Sequence, residues 1–296
     1  MSMSSQLTVK PRPSRRKMPD TAFVNDMFMP LSEAQVSVED RGFQFGDGVY
    51  ELLRVYCGAL FRPDEHLSRL ERSATALGIP LPHSRDHWKS LLSDAVARSG
   101  YPEAKVYIQV TRGVAPRDHA PTQDGPPTVV VTVRAFAAPS PTLYQKGAEA
   151  ITVPDLRWGR CDIKSICLLP NVLTKQRARD EHAFEALFVR DGYVVEGATS
   201  NVMNVKGGTI FTAPEGPLIL SGVTRQLTLN LARAAGIAIK EQALTEPDFL
   251  ESDEVFLTGT TIEVLPIRRI NSRMIGKGSP GPLTAVLMEH FKALHV

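Results

Sequence analysis

Beyond residue 142 the chain consists of short strand-forming stretches, and this pattern limits its fold more than any other feature. Runs rich in β-branched and aliphatic residues predict strands at 148–153, 186–189, 193–196, 201–205 and 209–212. Helical patterns interrupt or follow them at about 171–181, 224–235 and 283–294. Many short strands with a few helices around them read as a barrel-like β domain with peripheral helices.

The preceding part is organised differently. Period-two alternation predicts short strands at 21–25 and 36–40, and a longer one at 50–56 that turns at Cys57-Gly58 into 59–61. Between them, Gly42, Gly46 and Gly48 signal a tight turn or a close backbone approach. Pro63 opens a helix with Asp64 and Glu65 in its first turn, where acids suit the dipole. Leu67, Leu70, Ala74 and Leu77 form its apolar stripe and Gly78 ends it. A second helix is predicted at 85–98, closing at Gly100, and strong β stretches at 105–111 and 128–136. The loop 112–121 between those strands is polar and rich in Gly and Pro, the kind of long loop that carries function. Ala137-Ala-Pro-Ser-Pro reads as a linker. The expected fold class is therefore α+β in two domains: a small α+β N-terminal domain at 20–136, a linker at 137–142, and a larger domain at 143–296.

Size and composition agree, since 296 residues suffice for two cores. A net charge of +2 gives no reason to expect a nucleic-acid partner, and no apolar run is long enough to span a bilayer. Three cysteines (Cys57, Cys161, Cys167) without a CxxC pair suit a reducing, cytoplasmic compartment. Residues 1–19 hold no acid but carry Lys10, Arg12, Arg15, Arg16 and Lys17 among serines and prolines. Pro11 and Pro13 oppose an amphipathic targeting helix, so a disordered basic tail is expected, with Met18 an alternative start.

Chemistry centres on Arg160-Cys-Asp-Ile-Lys-Ser-Ile-Cys-Leu-Leu. If extended, this run puts Lys164 on one face with Ile166 and Leu168. An amine among aliphatic neighbours is favoured to give up its proton, which suits Schiff-base chemistry; taken locally, the same lysine reads as a strand-end cation in water. Ser221-Gly-Val-Thr precedes a predicted helix, so the backbone N–H groups of Val223 and Thr224 can seat an anion. His83 and His87 lie four apart, but no third ligand accompanies them, and no metal is expected. No GxxxxGK[ST] run occurs.

Seven runs in order, over roughly 23–270, resemble the class IV (fold type IV) pyridoxal-phosphate aminotransferases, and among them the D-amino acid aminotransferases. They are Glu39-Asp-Arg-Gly-Phe-Gln-Phe-Gly-Asp-Gly-Val-Tyr-Glu, Glu65-His-Leu-Ser-Arg-Leu, Arg112-Gly-Val-Ala-Pro-Arg-Asp-His, Cys161-Asp-Ile-Lys-Ser, Val195-Glu-Gly-Ala-Thr-Ser-Asn, Leu220-Ser-Gly-Val-Thr-Arg and Thr258-Gly-Thr-Thr. The resemblance implies the two-domain fold type IV and pyridoxal 5′-phosphate as cofactor. It implies that Lys164 joins the cofactor as a Schiff base and that Glu196 bonds its pyridine nitrogen. Arg69, Leu220, Val223, Thr224 and Thr260 would contact the cofactor, with Glu51 and His66 as a supporting pair. Tyr50, Arg117 and His119 match the family's trap for the substrate carboxylate. Arg117 and His119 would come from the neighbouring subunit, which implies a homodimer with its active site at the interface. The implied activity is ping-pong exchange of amino groups between D-amino acids and 2-oxo acids. Branched-chain L-amino acid aminotransferase, (R)-amine transaminase and aminodeoxychorismate lyase are the rival activities, expected to lack the joint trap. A non-catalytic pyridoxal-phosphate-binding protein is a remoter rival, opposed by Lys164 and Glu196. The sequence departs from the family at Ile166-Cys167, at Phe43, and at Ala198-Thr199, which has one hydroxyl fewer than the usual pair of serines.

Overall fold

A computed structural model describes residues 20–121 and 125–295; the basic tail, with its alternative start, lies outside the described residues. The N-terminal region opens with β1 (Thr21–Val24) and β2 (Met27–Pro30), then α1 (Arg41–Phe45), β3 (Gly48–Tyr56), β4 (Ala59–Leu60), α2 (Pro63–Leu77) and α3 (Arg85–Ser99). It closes with β5 (Ala104–Thr111) and β6 (Thr128–Ala135). The six strands form an antiparallel sheet in the order β2-β1-β6-β5-β3-β4. Val49, Leu53, Val106, Ile108, Val110 and Val131 on this sheet share a core with Leu67 and Leu70 of α2 and Trp88 and Leu92 of α3. The two helices end as expected, at left-handed Gly78 and Gly100.

One expectation for this region fails. Residues 36–40 are not a strand: Val36 and Val38 are exposed, and Asp40 caps α1 by accepting from the Gly42 N–H at 2.8 Å. That cap starts a five-residue helix closed by Gly46 at φ 68°, and the close approach signalled by the glycines is met, since a Cβ on Gly42 would lie 2.3 Å from the Thr111 side chain and one on Gly48 2.9 Å from the Val110 carbonyl.

The second region runs α4 (Pro141–Lys146), β7 (Ala148–Pro154), α5 (Leu169–Asp180), β8 (Glu185–Arg190), β9 (Tyr193–Gly197), β10 (Asn201–Lys206) and β11 (Thr209–Thr212). It continues through α6 (Val223–Ala234), β12 (Ala238–Glu241), α7 (Glu246–Leu250), β13 (Glu254–Gly259), β14 (Glu263–Ile270), β15 (Arg273–Met274) and α8 (Pro282–Lys292). The first turn of α4 takes up the end of the proline-rich segment read as a linker. Nine strands make a mixed sheet, β12-β11-β10-β13-β14-β7-β8-β9, with β15 paired to β14. Only residues 198–200 separate β9 from β10, although the two lie far apart in that order. The sheet must therefore curl until its β9 edge meets β10, and the Gly197 N–H bonds the Ser200 carbonyl at 2.7 Å across the join. This half-barrel, flanked by helices and joined to the smaller α+β region, is the expected two-domain fold.

Lys164 is not in a strand. Residues 161–163 turn, with the Ile163 N–H on the Arg160 carbonyl at 3.2 Å, and Ser165 alone bridges to Val49. The run nonetheless completes the free end of β3: Tyr50 N–H donates to Lys164 O at 3.0 Å, and Ile166 N–H to Gly48 O at 3.1 Å. The lysine thus sits where the two sheets meet.

Candidate active site

At that junction lies a cavity of about 820 Å³, within the range of small-molecule sites. Lys164, Glu196, Arg69, Leu220, Val223, Thr224, Thr260 and Tyr50 all line it. They arrive from β3, α2, the end of β9, the start of α6 and three loops, so the cavity gathers residues spread over more than two hundred positions.

β3 brings Tyr50 and Leu52 to the cavity side, while the intervening Glu51 points the other way, beneath α2. The Lys164 Nζ stands 4.2 Å from the centre of the Tyr50 ring, a favourable seat for an ammonium. Its backbone N–H is tied to Ser73 Oγ of α2 at 3.1 Å.

Arg69, also on α2, is buried and held by Glu51 through Nε at 2.7 Å and Nη2 at 2.9 Å. Its Nη1 donates to the Ser221 carbonyl at 2.9 Å. Three of the five guanidinium N–H groups are thereby used, and two remain for an anion. Glu51 is fully buried and also meets His66 Nδ1 at 2.7 Å. Burial pushes the Glu51 carboxyl up, but Arg69 and His66 outweigh it and hold it well below the ordinary range. Burial also lowers His66, which Glu51 only partly offsets.

Opposite Arg69, α6 starts at Val223 after Gly222, with no side chain capping it. The first N–H groups of the helix therefore face the cavity unsatisfied, as an anion site requires. Gly222 is needed for close approach, because a Cβ there would lie 2.1 Å from Asn201 Oδ1. On β13, the Thr258 hydroxyl is buried with no hydrogen-bond partner among the described residues.

Glu196, at the end of β9, accepts from the Leu220 N–H at 3.1 Å, from Asn201 Nδ2 at 3.1 Å and from Arg157. Burial raises its carboxyl to about 7, against the pull of Arg157 and of the Leu220 N–H. Arg157 does not reverse the shift because it is shared. Its Nε and Nη2 fork onto Asp155 at 2.9 and 2.8 Å, and its guanidinium lies 4.1 Å over Phe188. Asp155 in turn meets Arg190 at 3.0 Å.

Sequence reasoning does not reach Arg157 and Asp155. The only local signal is an acid and an arginine two apart at the end of a predicted strand. Nor does it reach Glu185, which is fully buried and accepts from the Thr199 hydroxyl at 2.7 Å and the Ser200 hydroxyl at 3.1 Å, fixing the loop after Glu196.

Arg117 and His119 are not brought to this cavity. Both are exposed and pack on Phe45 of α1, the guanidinium 4.5 Å from the ring centre and the imidazole centroid at 5.4 Å. Arg41 holds their loop outward through the Asp118 carbonyl at 2.6 Å. His83 and His87 stack at 4.3 Å on α3 and its preceding loop, and among the described residues no group of three potential ligands could hold a metal.

The arrangement offers a primary amine, an anion seat made by Arg69 and the start of α6, and a buried carboxyl able to hold a proton at neutral pH. These parts, on this fold, define the class: the chain belongs to the amino-transferase class IV family, whose model matches residues 48–270. It is 47% identical over 262 residues to a D-alanine aminotransferase of Bacillus licheniformis, covering 88% of this chain and 92% of that one. With a D-alanine aminotransferase of Listeria innocua it shares 43% identity over 270 residues, 90% and 93% of the two chains. Among solved structures, a T.th. branched-chain amino acid aminotransferase with pyridoxamine 5′-phosphate superimposes with a TM-score of 0.86 at 29% identity, covering 94% of each chain. The Escherichia coli branched-chain enzyme gives 0.88 at 26%, covering 94% of this chain and 95% of that one.

Proposed function

We infer that this chain is a pyridoxal 5′-phosphate-dependent aminotransferase that exchanges amino groups between D-amino acids and 2-oxo acids. The observation that carries the reading is the convergence of Lys164, Glu196 and the Arg69–α6 anion seat on one cavity. The D-amino acid assignment follows the curated relatives, at 47% and 43% identity to D-alanine aminotransferases, over the branched-chain structures at 29% and 26%.

The cavity fits the cofactor. Two unused Arg69 N–H groups, the N–H groups of Val223 and Thr224, and the hydroxyl of Thr260 suit its phosphate, with Leu220 beside them. Glu196 suits its ring nitrogen, and Lys164 its aldehyde. When bound, the cofactor supplies a carbon that takes up amines and a ring that accepts the electrons left at Cα. The protein residues manage the protons. Glu196, its carboxylate held in place by Arg157 and Asn201, would accept a hydrogen bond from the protonated ring nitrogen. The free amine of Lys164 would carry a proton to and from the substrate Cα as a general base and acid. Tyr50 lies within reach of the same amine, on the wall where a substrate carboxylate would rest.

Arg117 and His119 would complete that site from a second subunit. Their loop is turned away from its own cavity, and Phe43 (72% exposed) and Val38 (73%) leave apolar surface nearby for a second copy to cover. The protein then works as a homodimer, with arginine forks crossing the interface to meet carboxylates. No described helix is long and apolar enough to cross a membrane, and the free cysteines support a cytoplasmic location.

The test offers D-alanine or L-leucine with 2-oxoglutarate and follows the oxo acid formed. Turnover of D-alanine is expected; turnover of L-leucine alone would contradict the reading.

A further inference from the structure

Thr258 is 1% exposed, lines the cavity, and carries a hydroxyl with no hydrogen-bond partner among the described residues. A buried hydroxyl without a partner is costly, and one left so at the wall of a ligand cavity points to a ligand atom.

Its surroundings say which atom. Thr258 pairs with Asn201 of β10 and Val264 of β14, so the three side chains share one face of the sheet. Farther along that face, Met203 and Phe256 pack with Leu229 and Ala232 of α6. Thr258 is one step beyond Phe256, at the end of the face where Asn201 abuts Gly222, the residue before α6. The orphaned hydroxyl therefore lies under the start of α6, where the unsatisfied N–H groups gather.

We propose that the Thr258 hydroxyl donates a hydrogen bond to the cofactor phosphate, from beneath, as part of the same seat as Arg69 and α6. The proposal rests on the cofactor reading above and adds a residue to it. It also explains why β13 carries a polar side chain between apolar Phe256 and the cavity: valine there would fill the same volume but leave the phosphate one donor short.

The test is Thr258→Val, a near-isosteric change, measured on the full chain. Dissociation constants are compared for pyridoxal phosphate and for pyridoxal, which lacks the phosphate. The variant is expected to bind pyridoxal phosphate roughly tenfold more weakly, the effect of one charge-assisted hydrogen bond, and pyridoxal as before. In the cofactor-free protein its thermal midpoint should rise by about 2 °C, because the unpaired hydroxyl is gone. Inorganic phosphate should protect the cofactor-free wild type more than the variant. Thr258→Ser should retain wild-type affinity, and Thr258→Ala should reproduce the loss of phosphate discrimination if the valine variant does not fold. Unchanged affinity for pyridoxal phosphate, or equal weakening of both ligands, would overturn the proposal. A wild type that binds neither ligand would instead sink the cofactor reading beneath it.

Discussion

Glu196→Gln tests the electrostatics of the site without depending on turnover. The Glu196 carboxyl is lifted by burial from about 4.5 to about 7 in the folded chain. In the unfolded chain it returns to the ordinary value, so folding and ionisation are linked. Because the folded value is the higher one, the contribution of Glu196 to stability is fully present below pH 4.5 and is lost as pH rises through 7. A shift of that size corresponds to about 3 kcal/mol. Glutamine cannot titrate, and its amide also faces three donors, from Arg157, Asn201 and Leu220, which adds a penalty that does not vary with pH. The quantity to measure is therefore the difference between wild type and variant, both cofactor-free, by thermal unfolding from about pH 4.5 to 8.5. The wild type should lose roughly 6–10 °C relative to the variant across that range. Parallel curves would mean that Arg157 keeps the carboxyl ionised at its ordinary value, and the assignment of a proton-holding Glu196 would fall.

Glu51→Gln should act in the opposite sense. It removes the fully buried anion between Arg69 and His66 and should cost about 3–5 kcal/mol at pH 7, read as a lowered urea midpoint. Since the Glu51 carboxyl is depressed, that stabilisation is complete above the ordinary carboxylate range and fades only as pH falls below it; a variant as stable as wild type at pH 7 would contradict the cluster's role. Arg117→Ala should raise the KM for amino acid at least about tenfold while leaving cofactor affinity within about twofold, as loss of a carboxylate fork requires. Equal losses of both would mark Arg117 as structural.

Most regular elements of the N-terminal region are legible in the sequence, because α2 and α3 carry uninterrupted periodicity and glycine stops and β5 and β6 are dense in β-branched residues. The failures are local. The three glycines of 42–48 speak for a turn or a close approach, and the close approach is there at Gly42 and Gly48, but the short helix shows only once the Asp40 cap is set against Gly42. Later, β12, β15 and α7 go unread because each has five residues or fewer, and β12 is largely exposed, too short and polar for a period to show; the longer β13 and β14 are missed as well, β13 because it is buried along nearly its whole length without alternation and β14 because Pro266 interrupts its pattern. In the site, Lys164, Glu196 and Arg69 are legible through the order of their motifs along the chain. Arg157 is not: its meaning depends on Glu196, 39 positions later, which reaches it only after β7, β8 and β9 pair. The unpaired hydroxyl of Thr258 is a property of packing alone, and no residue pattern announces it.

The most direct measurement of the central claim is chemical. The purified protein is treated with borohydride in the presence of pyridoxal phosphate and mapped by mass spectrometry. The expected result is a single reduced cofactor adduct on Lys164, absent from Lys164→Ala, together with loss of the yellow colour in that variant. An adduct on another cavity lysine such as Lys175, or an adduct in the cavity that survives Lys164→Ala, would contradict the account.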